Sequence, residues 1–457
     1  MAILGQADIV SAFTDEDYVL VVFGNEIARI SMADLKKGLI KNNDLYLNQV
    51  AFFIDVNEPA ETPLNVNTGG NKQMFKMWKD QWKSGVMNAD GDWAELSKVD
   101  NRYFADGTLA VDLATGNAVT GLANCNFIGK IPETWCYIQT VEIADKTIQR
   151  LWLSLLPLPG WKEDAQFTGM FKGSVDSSGR LRSLPNTVPS ASKTVKAFFE
   201  SAQSYGNNYG LAGVHFRNML LWYMMGAYGQ RSSQECKIAD GTPVWGVGLD
   251  GTESSSGFSS QSGIKTGATL NLGTKDGKSE VLDNESAVCH SVKVLSYENP
   301  WGQYFEMDGH MCSIGNDVVV WRENFMPTAV NPTINDFNNI KTALITRHSV
   351  AISSTSSTGA KMNLLALADQ GAFMIPYATQ AGITYGDSFS YASEGQLWLW
   401  GGNASNGATC GLAYVISSYV FWYSYSAFGS RLAFKTPKLA EYAGSQFLSL
   451  YQTYLVG

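Results

Sequence analysis

The sequence predicts a loop-rich α+β protein, with small, mostly β modules at the N-terminus and a larger C-terminal domain around a buried central helix. Three observations predict this. Charged residues are only 16% of the chain, while glycine reaches 44 copies in 457 residues and aromatics reach 12%; this is the composition of turns and short strands, not of a helical bundle. Most periodic stretches are short, alternate apolar with polar residues, and stop at Gly, Asn, Ser or Pro. Residues 211–228 are apolar over more than one helical face, which marks a helix enclosed by core. A chain this long calls for roughly two to four domains.

Charge and cysteine content narrow the function classes. The formal net charge is -9 and no Lys/Arg run exists, so the footprint of a nucleic-acid binder is missing. An acidic surface also disfavours anionic membranes. Residues 1–20 carry Asp8, Asp15, Glu16 and Asp17 where a secretion signal needs an apolar run. No window holds 18 uninterrupted apolar residues, so no membrane insertion is expected. The expectation is a soluble protein, cytosolic or released by a route other than secretion. The six cysteines, at 125, 136, 236, 289, 312 and 410, form no CxxC pair. They read mostly as buried small hydrophobes, with one or two disulfides left open.

The elements follow in order. Asp17 to Phe23 is strand-like, Gly24-Asn25 is a turn, and Glu26 to Ile30 returns as a second strand. Ser31 caps a short helix from Met32 to Leu39. Residues 1–45 therefore read as a first module, suited to attachment. Residues 46–130 read as a mostly β spacer or trimerisation domain. In it, Asn57 to Asn71 is a loop, Met74 to Trp82 is a helix or a strand, and residues 89–92 and 105–108 are turns. The Asp90-x-Asp92 start of a calcium loop lacks the later ligands, so turn chemistry explains it better.

Residues 131–457 form the third unit. Ile131 to Leu155 is densely strand-like and ends at Pro157-Leu158-Pro159-Gly160. Pro185 to Pro189 is a loop, Ser192 to Glu200 a capped helix, and Leu211 to Tyr228 the buried helix, ended by Gly226 and Gly229. Gly251 to Gly277 is close to low complexity and reads as an exposed loop or insertion. Val288 to Leu295 and Asp317 to Trp321 are strands, Ala351 to Ala360 a Ser/Thr loop, and Asn363 to Ala368 a brief helix or strand.

The catalytic inventory is poor. Cys289, His290, His310 and Cys312 invite a metal site, but neighbours on a strand face opposite ways. No phosphate loop, dinucleotide fingerprint or serine elbow has the right context. Glu298, Glu306 and Asp308 are the best carboxylates for sugar hydrolysis; structural hydrogen bonding is the reading preferred for them. His215 on the long helix reads as a hydrogen-bonded structural histidine. No enzyme activity, cofactor or metal is called for.

The densest signal is the C-terminal run of Tyr, Trp and Ser. It passes from Trp398 and Trp400 through Gly401, Gly402 and Asn403 into Tyr414 to Tyr425, and closes on Phe428-Gly429-Ser430-Arg431-Leu432-Ala433-Phe434. Rings supply contact area at low entropic cost and hydroxyls supply adaptable hydrogen bonds, the usual make-up of recognition surfaces.

Three stretches carry a family resemblance: Gly206 to Gln234, Tyr297 to Gly302 followed by Met307-Asp308-Gly309, and Leu399 to Gly402 leading to Tyr414 and Gly429 to Ala433. Through them residues 131–434 resemble the C-type-lectin fold of the formylglycine-generating-enzyme-like type. More narrowly, the region is similar to the retroelement-diversified variable proteins that include the major tropism determinant at phage fibre tips. The resemblance implies that Trp400, Gly401 and Gly402 sit at the core edge, and that Gly429 and Arg431 pin the final strand. It implies a solvent-facing ligand site at Tyr414, Ser417, Ser418, Tyr419, Phe421, Trp422, Tyr423, Tyr425 and Ser426. The catalytic cysteine pair of the formylglycine-generating enzymes is not matched, since Cys410 alone follows position 312, and the calcium signature of lectins is not evident.

The stretch from Thr14 to Leu35 also resembles the N-terminal module of phage tail-fibre and head-fibre proteins. Together the resemblances imply a homotrimeric virion fibre assembled in the host cytoplasm. It joins other virion proteins through its N-terminus and binds a bacterial surface glycan or protein. A capsid or tail decoration protein with the aromatic cluster at a subunit interface, and a glycan-cleaving fibre, are the alternatives.

Overall fold

A computed structural model describes residues 18–23, 26–31, 43–56, 65–346 apart from 144, 247, 250–260, 316 and 341, then 360–367, 371–379, 389–391, 396–435 apart from 408–409, and 441–452. The architecture is mixed α+β and loop-rich, with several β-sheets and five α-helices among the described residues: α1 Asn43–Val50, α2 Lys72–Asp80, α3 Val195–Gln203, α4 Val214–Tyr228 and α5 Gly444–Gln452. The expected N-terminal strands form an antiparallel hairpin, Tyr18–Phe23 against Glu26–Ser31, with Tyr18 opposite Ser31. The helix expected over 32–39 lies outside the described residues.

Three larger sheets position everything else. Sheet A runs in the order Tyr209–Leu211, Leu432–Phe434, Gln166–Gly169, Asn126–Ile131, Lys83–Met87, Trp93–Glu95, Glu441–Tyr442. Sheet B runs Thr342–Thr346, Asp317–Trp321, Phe305–Ile314, Leu397–Trp400, Val415–Tyr419, Phe389–Tyr391, with Phe428–Gly429 added in parallel beside Phe305 and Glu306. Sheet C joins Trp161–Glu163, Thr134–Ile143, Lys146–Ser154, Phe52–Asp55 and Thr68–Gly70. Sheets A and C both mix strands from before and after residue 130. The expected boundary between a 46–130 spacer and a 131–457 domain therefore crosses hydrogen-bonded sheets. Sequence alternation reveals strands but not their long-range partners.

The central helix is as enclosed as the sequence predicted. Every side chain from Val214 to Met225 is buried. Around it pack Trp78, Trp82, Tyr297, Trp301 and Cys410, drawn from three distant segments. Gly229 ends the helix in the left-handed conformation at φ 61°, and its N–H reaches the Met225 carbonyl. Gly226, expected as a terminator, lies inside α4, where a Cβ would stand 3.0 Å from the Phe75 ring. The open choice for residues 74–82 resolves as helix α2. Asn71 caps it by accepting from the Gln73 and Met74 N–H groups. The segment near 363–368 resolves as strand Ala360–Leu367.

Two further expectations need correction. Of the stretch read as an exposed Gly/Ser loop, residues 261–277 are described and carry buried Gln261, Ile264, Thr266, Thr269 and Leu270. Composition misled there, because small polar side chains are being used as internal hydrogen-bond partners. All six cysteines are buried and none is in a disulfide.

Candidate functional site

The C-terminal aromatic segment is anchored by a buried charge cluster. Arg431 is fully buried. Its guanidinium donates to both Glu306 carboxylate oxygens and to the carbonyls of Gly169, Met170, Glu298 and Asn299, all at 2.8–3.3 Å. Lys172 adds a 2.8 Å contact to Glu306, and Arg217 of α4 a further close ion pair. Burial alone would raise the Glu306 carboxyl. The three cations outweigh it and hold the group well below the usual carboxylate range. Lys172 is pushed down to about 8 by burial, against the pull of Glu306. One carboxylate thus ties sheet A, sheet B and α4 together. A buried charge is tolerated only when paired and hydrogen-bonded in this way.

The other two carboxylates are also committed internally. Glu298 accepts from the Gly267 and Thr269 backbone N–H groups and from the Thr269 hydroxyl. Burial raises its carboxyl, and these hydrogen bonds oppose the rise. Asp308 accepts from the His310 N–H and from Trp400 Nε1 at 2.7 Å. Burial pushes it up to about 7. Glu306 and Asp308 are therefore driven in opposite directions, yet both lie in the interior with protein partners.

The proposed metal quartet is split between sheets. Cys289 and His290 belong to Val288–Val294 of a separate three-stranded sheet, and His310 and Cys312 to Phe305–Ile314 of sheet B. No group of three or more His, Cys, Asp or Glu that could hold a metal occurs among the described residues. At the expected turn over 89–92, Asn88 accepts from the Asp90 and Asp92 N–H groups and donates to the Asp92 carboxylate. That is a turn with Gly91 at φ 88°. His215 Nε2 lies 3.0 Å from the Trp321 carbonyl oxygen.

Above the charge cluster, the predicted site residues divide into a buried row and an exposed face. Tyr414, Ser417 and Phe421 are buried, so they are not the solvent-facing contacts the resemblance implied. Val415–Tyr419 is an interior strand of sheet B, flanked by Leu397–Trp400 and Phe389–Tyr391, and Tyr414 stacks on Phe305 at 5.3 Å. Ser418, Tyr419 and Trp422 are half-buried, and Tyr423, Tyr425 and Ser426 are exposed. Trp400 is buried. Gly401 and Gly402 turn the chain at φ 86° and 74°, where a Cβ on Gly401 would stand 3.0 Å from the Pro300 carbonyl.

The exposed face is ordered by ring packing. Tyr419 stacks on Tyr423 at 4.8 Å with planes 19° apart, and Tyr423 stacks on Tyr425 at 6.4 Å and 29°. Buried Phe428 lies edge-on beneath Tyr419 at 5.0 Å and beneath Tyr425 at 5.5 Å. Phe428 is fixed in turn by its pairing with Phe305, one residue from Glu306. The loop backbone closes on itself through Tyr423 N–H to Val420 O and Phe428 N–H to Tyr425 O. Ser192 N–H to Tyr425 O ties it to the neighbouring segment. Lys196 of α3 lies 4.7 Å from the Trp422 ring centre, a cation–π contact at the edge of the face. Exposure is 38% for Tyr423, 50% for Tyr425 and 49% for Val420.

No family model matches the sequence, and no curated protein matches it.

Proposed function

We propose that the chain is a virion fibre or tip protein that binds a bacterial surface glycan or protein through the tyrosine face. Its scaffold is read as C-type-lectin-like. The carrying observation is the Tyr419–Tyr423–Tyr425 stack, seated on Phe428 and left half open to solvent. Trp422, Ser418 and Ser426 border it. Pre-stacked rings lose little conformational freedom when a ligand arrives, so more of the contact energy appears as affinity. The hairpin of residues 18–31 is assigned to joining other virion proteins. Trimerisation would let weak single sites act together. The glycan-cleaving alternative loses its named carboxylates to internal partners.

The test compares the parent with Tyr423→Ala/Tyr425→Ala for mass in solution and for adsorption to bacterial cells. Adsorption lost at unchanged mass supports the reading. A reduced mass would instead make the rings a subunit interface, where Tyr and Trp are equally favoured.

A further inference from the structure

A second place on the molecule has the character of a ligand site, well apart in chemistry from the tyrosine face. A cleft of about 170 Å³ opens where the edge of sheet A meets the start of α4 and sheet B. An engineered cavity of about 150 Å³ holds one benzene ring, so the space suits a single six-membered ring. Phe216 and Ala433 give it an apolar lining. Two lining residues carry buried polar atoms with no hydrogen-bond partner in the protein, Gln166 Nε2 and His310 Nδ1. Leaving such an atom unpaired is unfavourable unless water or a ligand meets it.

The charges around the cleft select an uncharged ligand. Arg322 lines it, but its guanidinium is bidentate on Glu163, with both contacts at 2.8 Å. Exposed Asp164 and Lys435 set one charge of each sign at the mouth. Burial, aided by Lys435 and Arg322, pushes His310 down to about 3, so its ring is neutral at ordinary pH. A hydroxyl both donates and accepts. It therefore satisfies the Gln166 amide and either tautomer of His310, replacing water without loss. Gly210 keeps the wall open beside Asn324, since a Cβ there would collide with the Asn324 side-chain oxygen.

We propose that this cleft binds a neutral sugar ring of monosaccharide size, with its apolar face toward Phe216 and Ala433 and its hydroxyls on Gln166 and His310. The proposal stands independently of what the tyrosine face binds.

The test is saturation-transfer NMR of the full chain with the methyl glycosides of glucose, galactose, mannose, N-acetylglucosamine and rhamnose. Three variants run alongside. Gln166→Leu removes one unpartnered donor at similar size. Ala433→Leu fills the cleft from the strand between Gly210 and Thr168. Tyr423→Ala/Tyr425→Ala removes the other face. The expected result is saturable transfer from at least one glycoside in the parent and the tyrosine variant, weakened tenfold or more in each cleft variant. Thermal melts check folding, and either cleft variant alone decides. No transfer from any glycoside, transfer unchanged in the folded cleft variants, or transfer lost in the tyrosine variant alone would overturn the proposal.

Discussion

Replacing Arg431 by lysine tests whether the buried charge cluster is the base on which the C-terminal aromatic face rests. The guanidinium makes seven N–H···O contacts: three to Glu306 and one each to the carbonyls of Gly169, Met170, Glu298 and Asn299. A lysine ammonium has three donors and no planar fork. It retains the charge for Glu306, which also keeps Lys172 and Arg217, so no bare buried carboxylate results. Two of the five guanidinium donors disappear, at about 2 kcal/mol each for a charged donor. The expected loss is therefore about 4 kcal/mol, a large share of the roughly 5–15 kcal/mol typical of folded proteins. Urea unfolding followed by tryptophan emission measures it, because Trp398 and Trp400 are buried in the sheet that Glu306 belongs to. A loss below about 1 kcal/mol would refute the reasoning, since the fork geometry would then be contributing almost nothing.

Three other outcomes are expected. Glu306→Gln should cost about 3–5 kcal/mol at neutral pH, because it leaves buried cations without their carboxylate. The Glu306 carboxyl is depressed in the folded state, so its contribution is complete above the ordinary value of 4.5 and is lost as pH falls below it. Urea midpoints of parent and variant should accordingly converge in acid. Gly401→Ala places a Cβ at φ 86° against Pro300 and should lower stability by about 1–3 kcal/mol in the same assay. Thr194→Ala removes the cap that accepts from the Ala197 N–H and should cost about 1 kcal/mol.

Local features were legible in the sequence because their causes are local. The N-terminal strands, the Thr194-capped helix and the all-round apolar α4 each follow from period, cap or composition within a few residues. What was not legible depends on distant partners. Nothing near Lys172 or Arg217 announces that Glu306 and Arg431 lie beside them, yet their meeting sets the middle of the structure. The Gly/Ser-rich stretch looked exposed because no local signal tells that Thr269 donates to Glu298. The aromatic cluster is visible in composition, but composition does not say which rings face out. Once Val415–Tyr419 is seen as an interior strand, Tyr414, Ser417 and Phe421 fall inside, and Tyr423, Tyr425 and Ser426 remain outside. The cleft beside His310 had no sequence signature, because its polar atoms come from residues 166 and 310 on different sheets.

The most direct test of the central claim is the adsorption isotherm of labelled full-length protein on a panel of intact bacterial strains, with Tyr423→Ala/Tyr425→Ala measured beside it. Aromatic contacts at the centre of an interface contribute on the order of 2 kcal/mol each, which is roughly thirtyfold per ring. The account predicts saturable adsorption to at least one strain, weakened at least thirtyfold in the variant at unchanged mass. Absence of saturable adsorption to every strain, or equal adsorption by parent and variant, would contradict it.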